Sequence, residues 1–84
     1  MHERYAGLRE RLMADGGAEV ALDFDDFAVF LLGGLPLSAL RDAGWWTNSD
    51  GDPSRSQAHA WLDAGYEVEF VDLGARTVLF RRRG

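Results

Sequence analysis

Ser56, His59 and Asp63 have the residue types of a hydrolytic triad, and they lie in a stretch, residues 54–64, that is predicted to be helical. Their spacing of i, i+3 and i+7 places all three on one side of a single helix. One side of a helix supplies neither an oxyanion hole nor an enclosed pocket, and helix packing usually explains such a set. We therefore expect no catalytic residues and no enzymatic activity.

The chain has few side chains that suit a metal ion or a phosphate group. It has no cysteine, and its two imidazoles belong to His2 and His59, which are distant in the sequence. A zinc site would have to be assembled from distant carboxylates. Gly33 and Gly34 end a predicted helix, whereas a phosphate-binding glycine loop begins one. We expect no metal ion and no cofactor.

The outward side of the predicted helix 54–64 has the residue types of a nucleic-acid contact. Its apolar side holds Ala58, Trp61 and Leu62, which leaves a set of small and hydrogen-bonding residues on or beside the opposite side: Ser56, Ala60, Gln57, His59 and Asp63. Glutamine can pair with adenine, serine and histidine can reach phosphates or base edges, and a small alanine lets a duplex approach closely. The alternative is an ordinary solvated helix face with an i, i+4 ladder of charged side chains.

Two arginines complete the predicted interface. Arg55 lies in the first turn of the helix, nearest to a nucleic-acid backbone, and Arg76 follows the tip of a predicted hairpin, where a wing would touch phosphate or the minor groove. The predicted partner is double-stranded DNA. The predicted nucleic-acid-binding residues are Arg55, Ser56, Gln57, His59 and Arg76.

The charge balance opposes binding to DNA by charge alone. The 84 residues include 14 acidic and 9 basic side chains, for a net charge of -5, and the acidic excess lies towards the front of the chain. A duplex carries one negative charge per about 1.7 Å of axis, so nearby carboxylates cost affinity. The rival prediction is an acidic protein-interaction module, an accessory subunit or a phage-encoded inhibitor, whose Asp23, Asp25 and Asp26 meet a basic partner.

Apolar periodicity predicts the elements that would position these side chains. Tyr5, Leu8, Leu12 and Met13 recur at helical spacing, and residues 19–22 alternate as a half-buried strand does. Asp23 is suited to be the N-cap of a strongly apolar second helix. The later predicted elements are a short helix at 38–43, a loop at 47–54, the helix at 54–64 and a hairpin at 66–82.

The hairpin has the clearest pattern of the chain. Apolar and polar residues alternate on both sides of an interruption at residues 73–75. One register puts four apolar side chains on one face and also pairs a glutamate with an arginine. It sets Phe70 opposite Val78, Val68 opposite Phe80, and Glu67 opposite Arg81.

Trp45 and Trp46 are adjacent, and their environment depends on the backbone between them. In an extended segment their side chains face opposite ways, which leaves one half exposed. The alternatives are that both pack against the loop and the final helix, or that they form a stacking platform for a base or a partner's side chain. Asn48 is expected to be a turn residue.

The order of elements predicts a single α+β domain over residues 1–84. Helix, strand, helix, helix and hairpin follow one another as in a winged helix, in which an early strand pairs with the C-terminal hairpin and the preceding helix reads DNA. The longest apolar runs are too short to cross a membrane, and the start is unlike a signal peptide. We expect a cytoplasmic monomer or weak homodimer.

Several short motifs are similar to those of a family of small uncharacterised bacterial and phage domains. They are Trp-Trp-Thr-Asn at 45–48, Ser-Gln-Ala at 56–58, Ala-Trp-Leu at 60–62 and Ala-Gly-Tyr at 64–66, with a tyrosine in the first helix. The family has no assigned activity, and its members stand alone or are attached to nuclease-like domains, so the resemblance implies nucleic-acid binding. This chain differs by an apparent insertion at residues 50–51 and by Arg55 in place of a histidine.

Overall fold

The computed structural model describes residues 5–31, 33–48 and 57–83. Four short α-helices and three strands lie along these residues, joined by two 3-10 turns, Phe24–Asp26 and Ala43–Trp46. In chain order they are α1 (Ala6–Asp15), β1 (Glu19–Asp23), α2 (Phe27–Phe30), α3 (Leu37–Arg41), α4 (Ala58–Leu62), β2 (Tyr66–Asp72) and β3 (Thr77–Arg82).

The first helix forms as its periodicity predicts, and it packs closely on α2. Leu8 and Leu12, four residues apart, are both fully buried, whereas Met13 is 62% exposed, so its predicted place on the apolar face is wrong. Gly7 allows the close approach, because a Cβ there would lie 1.9 Å from the carbonyl oxygen of Phe30. Gly16 ends the helix at a φ of 68°, and its N–H donates to the Leu12 carbonyl at 3.2 Å.

The strand β1 is as predicted, but the helix predicted after it is divided. Val20 and Leu22 point into the core. The N–H of Phe24 then donates to the carbonyl of Arg76 at 2.8 Å, which ties the chain to the hairpin and starts a 3-10 turn instead of an α-helix. The helix α2 that follows has four residues and ends at Phe30, and Val29 on it is 87% exposed. The prediction that one apolar helix begins directly after Asp23 is therefore wrong, because a 3-10 turn precedes α2.

The three strands form one antiparallel sheet in the order β1, β3, β2. Two predicted pairs are confirmed, Val68 with Phe80 and Glu67 with Arg81. The predicted pair of Phe70 with Val78 is wrong, because the register shifts between Val68 and Phe70, and Phe70 lies opposite Leu79. The extra residue is a bulge that turns Phe70 to the other face of the sheet, where it is 57% exposed.

Trp45 and Trp46 are both buried, which decides between the three predicted environments. They lie in a 3-10 turn and not in an extended segment, so both can point inward. The Trp46 ring is stacked on those of Phe24 and Trp61, with centroids 5.4 and 5.9 Å away. Its Nε1 donates to the Ala39 carbonyl at 2.9 Å. Neither ring is half exposed, and neither offers a stacking platform to a partner.

The α+β class is confirmed, and the early strand pairs with the C-terminal hairpin in the predicted way. Helices pack on the face of the sheet that carries the core residues of β1 and β3, and the opposite face carries Phe70. Most of the predicted loop 47–54 and the first residues of the predicted helix 54–64 lie outside the described residues. The comparison with a winged helix remains a prediction.

Candidate functional site

The helix α4 does not present the predicted polar surface. Gln57 is only 6% exposed, and its Nε2 donates to the carbonyl of Trp45 at 3.0 Å. Ala60 is also buried, at 7% exposure. The prediction that Gln57 and Ala60 lie on or beside an outward face is therefore wrong. The physical reason is that the buried Trp45 carbonyl needs a hydrogen-bond donor, and Gln57 supplies it.

Of the predicted contact residues on α4, only His59 is exposed within the described part of the chain. Its Nδ1 lies 4.0 Å from Oδ1 of Asp63, one turn further along, and both side chains are about half exposed. This is the solvated i, i+4 pair of the alternative prediction. Arg55 and Ser56 lie outside the described residues. The expectation that Ser56, His59 and Asp63 form no catalytic set therefore remains a prediction.

Asn48, which its sequence context predicts to be a turn residue, forms hydrogen bonds to the edge of β2 and to Trp61. Its Oδ1 accepts from the N–H of Val68 at 2.8 Å and from Nε1 of Trp61 at 2.9 Å, and its Nδ2 donates to the Val68 carbonyl at 3.0 Å. The side-chain amide thus pairs with the edge of β2 as a neighbouring strand would. A turn residue and a cap for a sheet edge have the same local sequence pattern, so only the tertiary structure separates them.

The residues that carry the family resemblance are connected to one another inside the protein. Gln57 holds the carbonyl of Trp45, Asn48 holds the indole of Trp61, and the rings of Trp46 and Trp61 are stacked. The motif therefore builds the interior between α4 and the sheet. The side chains of Gln57, Asn48 and Tyr66 form hydrogen bonds within the chain, whereas Thr47 is exposed.

Arg76 lies at the far end of the hairpin from α4. Its backbone has a φ of 59°, and its exposed side chain borders a shallow cleft of about 370 Å³. Tyr66, which follows α4 closely, pairs with Arg82 at one end of the hairpin, and Asp72 pairs with Thr77 at the other, about 20 Å along the strand. The cleft is lined by Phe24, Asp25, Ala28, Gly34, Leu35, Leu40 and Arg76, none of them from α4.

Carboxylates accompany the arginines of the hairpin. The guanidinium of Arg81 lies 2.8 Å from a carboxylate oxygen of Glu69, and that of Arg83 lies 4.0 Å from Glu67. Asp25 lines the same cleft as Arg76. Arg81 and Arg83 therefore face acidic neighbours, which lowers the positive potential they would offer to phosphate, and Arg82 donates to the Gly16 carbonyl at 2.9 Å.

The acidic residues of the rival prediction are exposed. Asp23, Asp25 and Asp26 lie where β1 passes into the 3-10 turn. Oδ2 of Asp26 accepts from the N–H of Asp23 at 3.0 Å, as the side chain at position N3 does in a capping box, and this contact fixes the turn. Asp23 pairs with Thr77, which pairs in turn with Asp72, so carboxylates also stand on both sides of the hairpin tip.

Residues 5–31, 33–48 and 57–83 lack two other features. No three histidine, aspartate or glutamate side chains in those ranges are grouped so that they could hold a metal ion. No helix in the same ranges is long and apolar enough to cross a membrane.

Comparison with known proteins places the chain in a family. The pattern of the family described as Domain of unknown function (DUF7662) matches residues 5–84, so the chain belongs to that family, and the predicted resemblance to an uncharacterised domain family is confirmed. No curated protein and no solved structure matches the chain.

Proposed function

We propose that this domain is an acidic protein-interaction module that binds a basic segment of a partner protein. The observation that carries the proposal is the arrangement of charge. Exposed carboxylates of Asp23, Asp25 and Asp26 stand together at the end of β1, while Arg81 faces Glu69. A surface of one sign raises the local concentration of an oppositely charged partner and orients it on approach.

A charge reversal at Asp25 tests this proposal. Asp25→Lys should weaken binding of an oligo-lysine peptide about threefold or more, because it removes a carboxylate from the acidic group and adds a like charge. Glu10→Lys is the matched control, since Glu10 is exposed on α1 and the net charge changes equally. Equal affinities of the two variants, measured by isothermal titration calorimetry at low salt, would contradict a localised acidic site.

Nucleic-acid binding is the second candidate, and one specific observation favours it. The early strand pairs with a C-terminal hairpin that α4 directly precedes, and His59 and Arg76 are both exposed. If phosphates are contacted, the logarithm of the affinity should fall with the logarithm of salt concentration at a slope of about -0.9 per contact, and Arg76→Ala should weaken binding. The absence of a complex with duplex and single strand at low salt would remove this candidate.

A further inference from the structure

The outward face of the sheet carries its side chains in a regular order. Val20, Leu22, Val78 and Phe80 point into the core, so the residues between them point to the opposite face. Those outward residues form three rows that cross the sheet from β1 through β3 to β2. Successive rows are separated by two residues along β1 and β3, which is about 7 Å, and the bulge adds one residue between two of the rows on β2.

The middle row is apolar. It consists of Ala21, Leu79 and Phe70, which pair across the three strands. Ala21 is exposed, Leu79 is half-buried, and Phe70 is 57% exposed. The bulge is what brings Phe70 into this row, because without the extra residue its side chain would point into the core. An exposed phenylalanine on an exposed sheet face is a candidate anchor for a partner.

The two outer rows are acidic. Asp23, Thr77 and Asp72 form the row towards the hairpin tip. The row on the other side is Glu19, Arg81 and Glu67, and Glu69 at the bulge joins it through its ion pair with Arg81. Arg81 pairs with Glu69 and Arg83 lies 4.0 Å from Glu67, so the net negative charge of this row comes from Glu19. The apolar row is bordered on both sides by negative charge, with the two acidic rows about 14 Å apart.

We propose that this face, Ala21, Leu79 and Phe70 with their acidic borders, binds a basic segment in which one large apolar side chain lies between two cationic ones. This inference rests on the proposed function and names its partner. An extended segment has the same spacing as the rows of the sheet, because its side chains at i, i+2 and i+4 share a face and successive ones lie about 7 Å apart. Such a segment, aligned with the strands, sets its apolar residue on Phe70 and its cations on the two acidic rows.

Charge complementarity selects this occupant over a second copy of the chain. Two copies joined through this face would bring acidic rows against acidic rows, which is repulsive. A neutral apolar segment would cover Phe70 and leave the bordering carboxylates desolvated without partners. A segment with flanking arginines or lysines satisfies both the apolar row and its borders.

Two synthetic peptides of equal composition test the match. The first repeats Arg-Thr-Leu-Thr, so an extended chain carries arginine and leucine alternately on one face. The second repeats Arg-Leu-Thr-Thr, so arginine and leucine lie on opposite faces. Titration calorimetry of the full chain at low salt should show the first peptide binding roughly tenfold more tightly than the second. Both peptides carry the same charge, so a purely electrostatic contact gives equal affinities.

Variants of the protein locate the contact. Phe70→Ser should weaken binding of the first peptide roughly tenfold, and Met13→Ser, an equally exposed apolar residue on α1, should leave it unchanged. Glu19→Gln should weaken the same peptide, while Glu10→Gln, on α1, should not. Far-UV circular dichroism of each variant checks that the fold is retained.

The outcomes separate this inference from the proposed function. Preference for the first peptide with loss in Phe70→Ser supports the docking face. Binding of both peptides with equal affinity, undisturbed by Phe70→Ser but weakened by Asp25→Lys, overturns the docking face and leaves the acidic module. Binding of neither peptide overturns both.

Discussion

At Asn48 a single side-chain amide takes the place of a neighbouring strand. It satisfies both the N–H and the carbonyl of Val68 on the outer edge of the sheet and also holds the indole of Trp61. An unpaired edge is a site where strands of other molecules add. Asn48 therefore closes part of that edge while it fixes the tryptophan that α4 buries.

Replacement of this amide should destabilise the domain. Asn48→Ala leaves the donors of Trp61 and Val68 without a partner, and we expect a loss of about 1–3 kcal/mol in the free energy of unfolding. Asn48→Asp keeps both accepting contacts but sets a carboxylate oxygen against the Val68 carbonyl oxygen, so it should also destabilise the domain. Urea denaturation measures the series, with Thr47→Ala as the exposed neighbouring control. Equal stabilities of Asn48→Ala and Thr47→Ala would contradict the structural role.

At the level of elements, structure follows the sequence pattern where local pattern and tertiary contact agree. Helix α1, strand β1 and the hairpin form where periodicity predicts them, and Val68 does pair with Phe80. Alternation alone cannot show an inserted residue, so it predicts Phe70 on the wrong face. Helical periodicity predicts Gln57 outward for a similar reason, because the carbonyl to which Gln57 donates belongs to Trp45, twelve residues earlier in the chain.

The bulge determines which β2 side chains contribute to the free energy of unfolding. Phe70→Thr should change the free energy of unfolding by less than about 0.5 kcal/mol, because the side chain is exposed and lies on the outer face. Val71→Thr should cost about 1–2 kcal/mol, because Val71 packs against the core and the substitution brings in a hydroxyl at nearly constant volume. Urea denaturation of the two variants checks the order. A larger loss of stability for Phe70→Thr than for Val71→Thr would contradict the bulge and favour the register that pairs Phe70 with Val78.

In the molecule as a whole, the residues that stabilise the fold differ from those that are available to bind a partner. All three tryptophans lie in the core and contact one another, so they stabilise the domain and are not presented to a partner. Seven of the 14 carboxylates lie in residues 19–26 and 66–83, on β1, on the 3-10 turn after it and on the hairpin, together with four of the nine arginines. These segments therefore carry -3 of the net charge of -5.

The most direct test of the acidic interaction surface compares how tightly the unmodified protein binds a basic peptide and duplex DNA. Fluorescence anisotropy at low salt compares a labelled oligo-arginine peptide with a labelled duplex of similar size. We expect saturable binding of the peptide that weakens as salt screens the carboxylates, and no measurable binding of the duplex. Tight binding of the duplex, with no binding of the peptide, would contradict the acidic interaction surface.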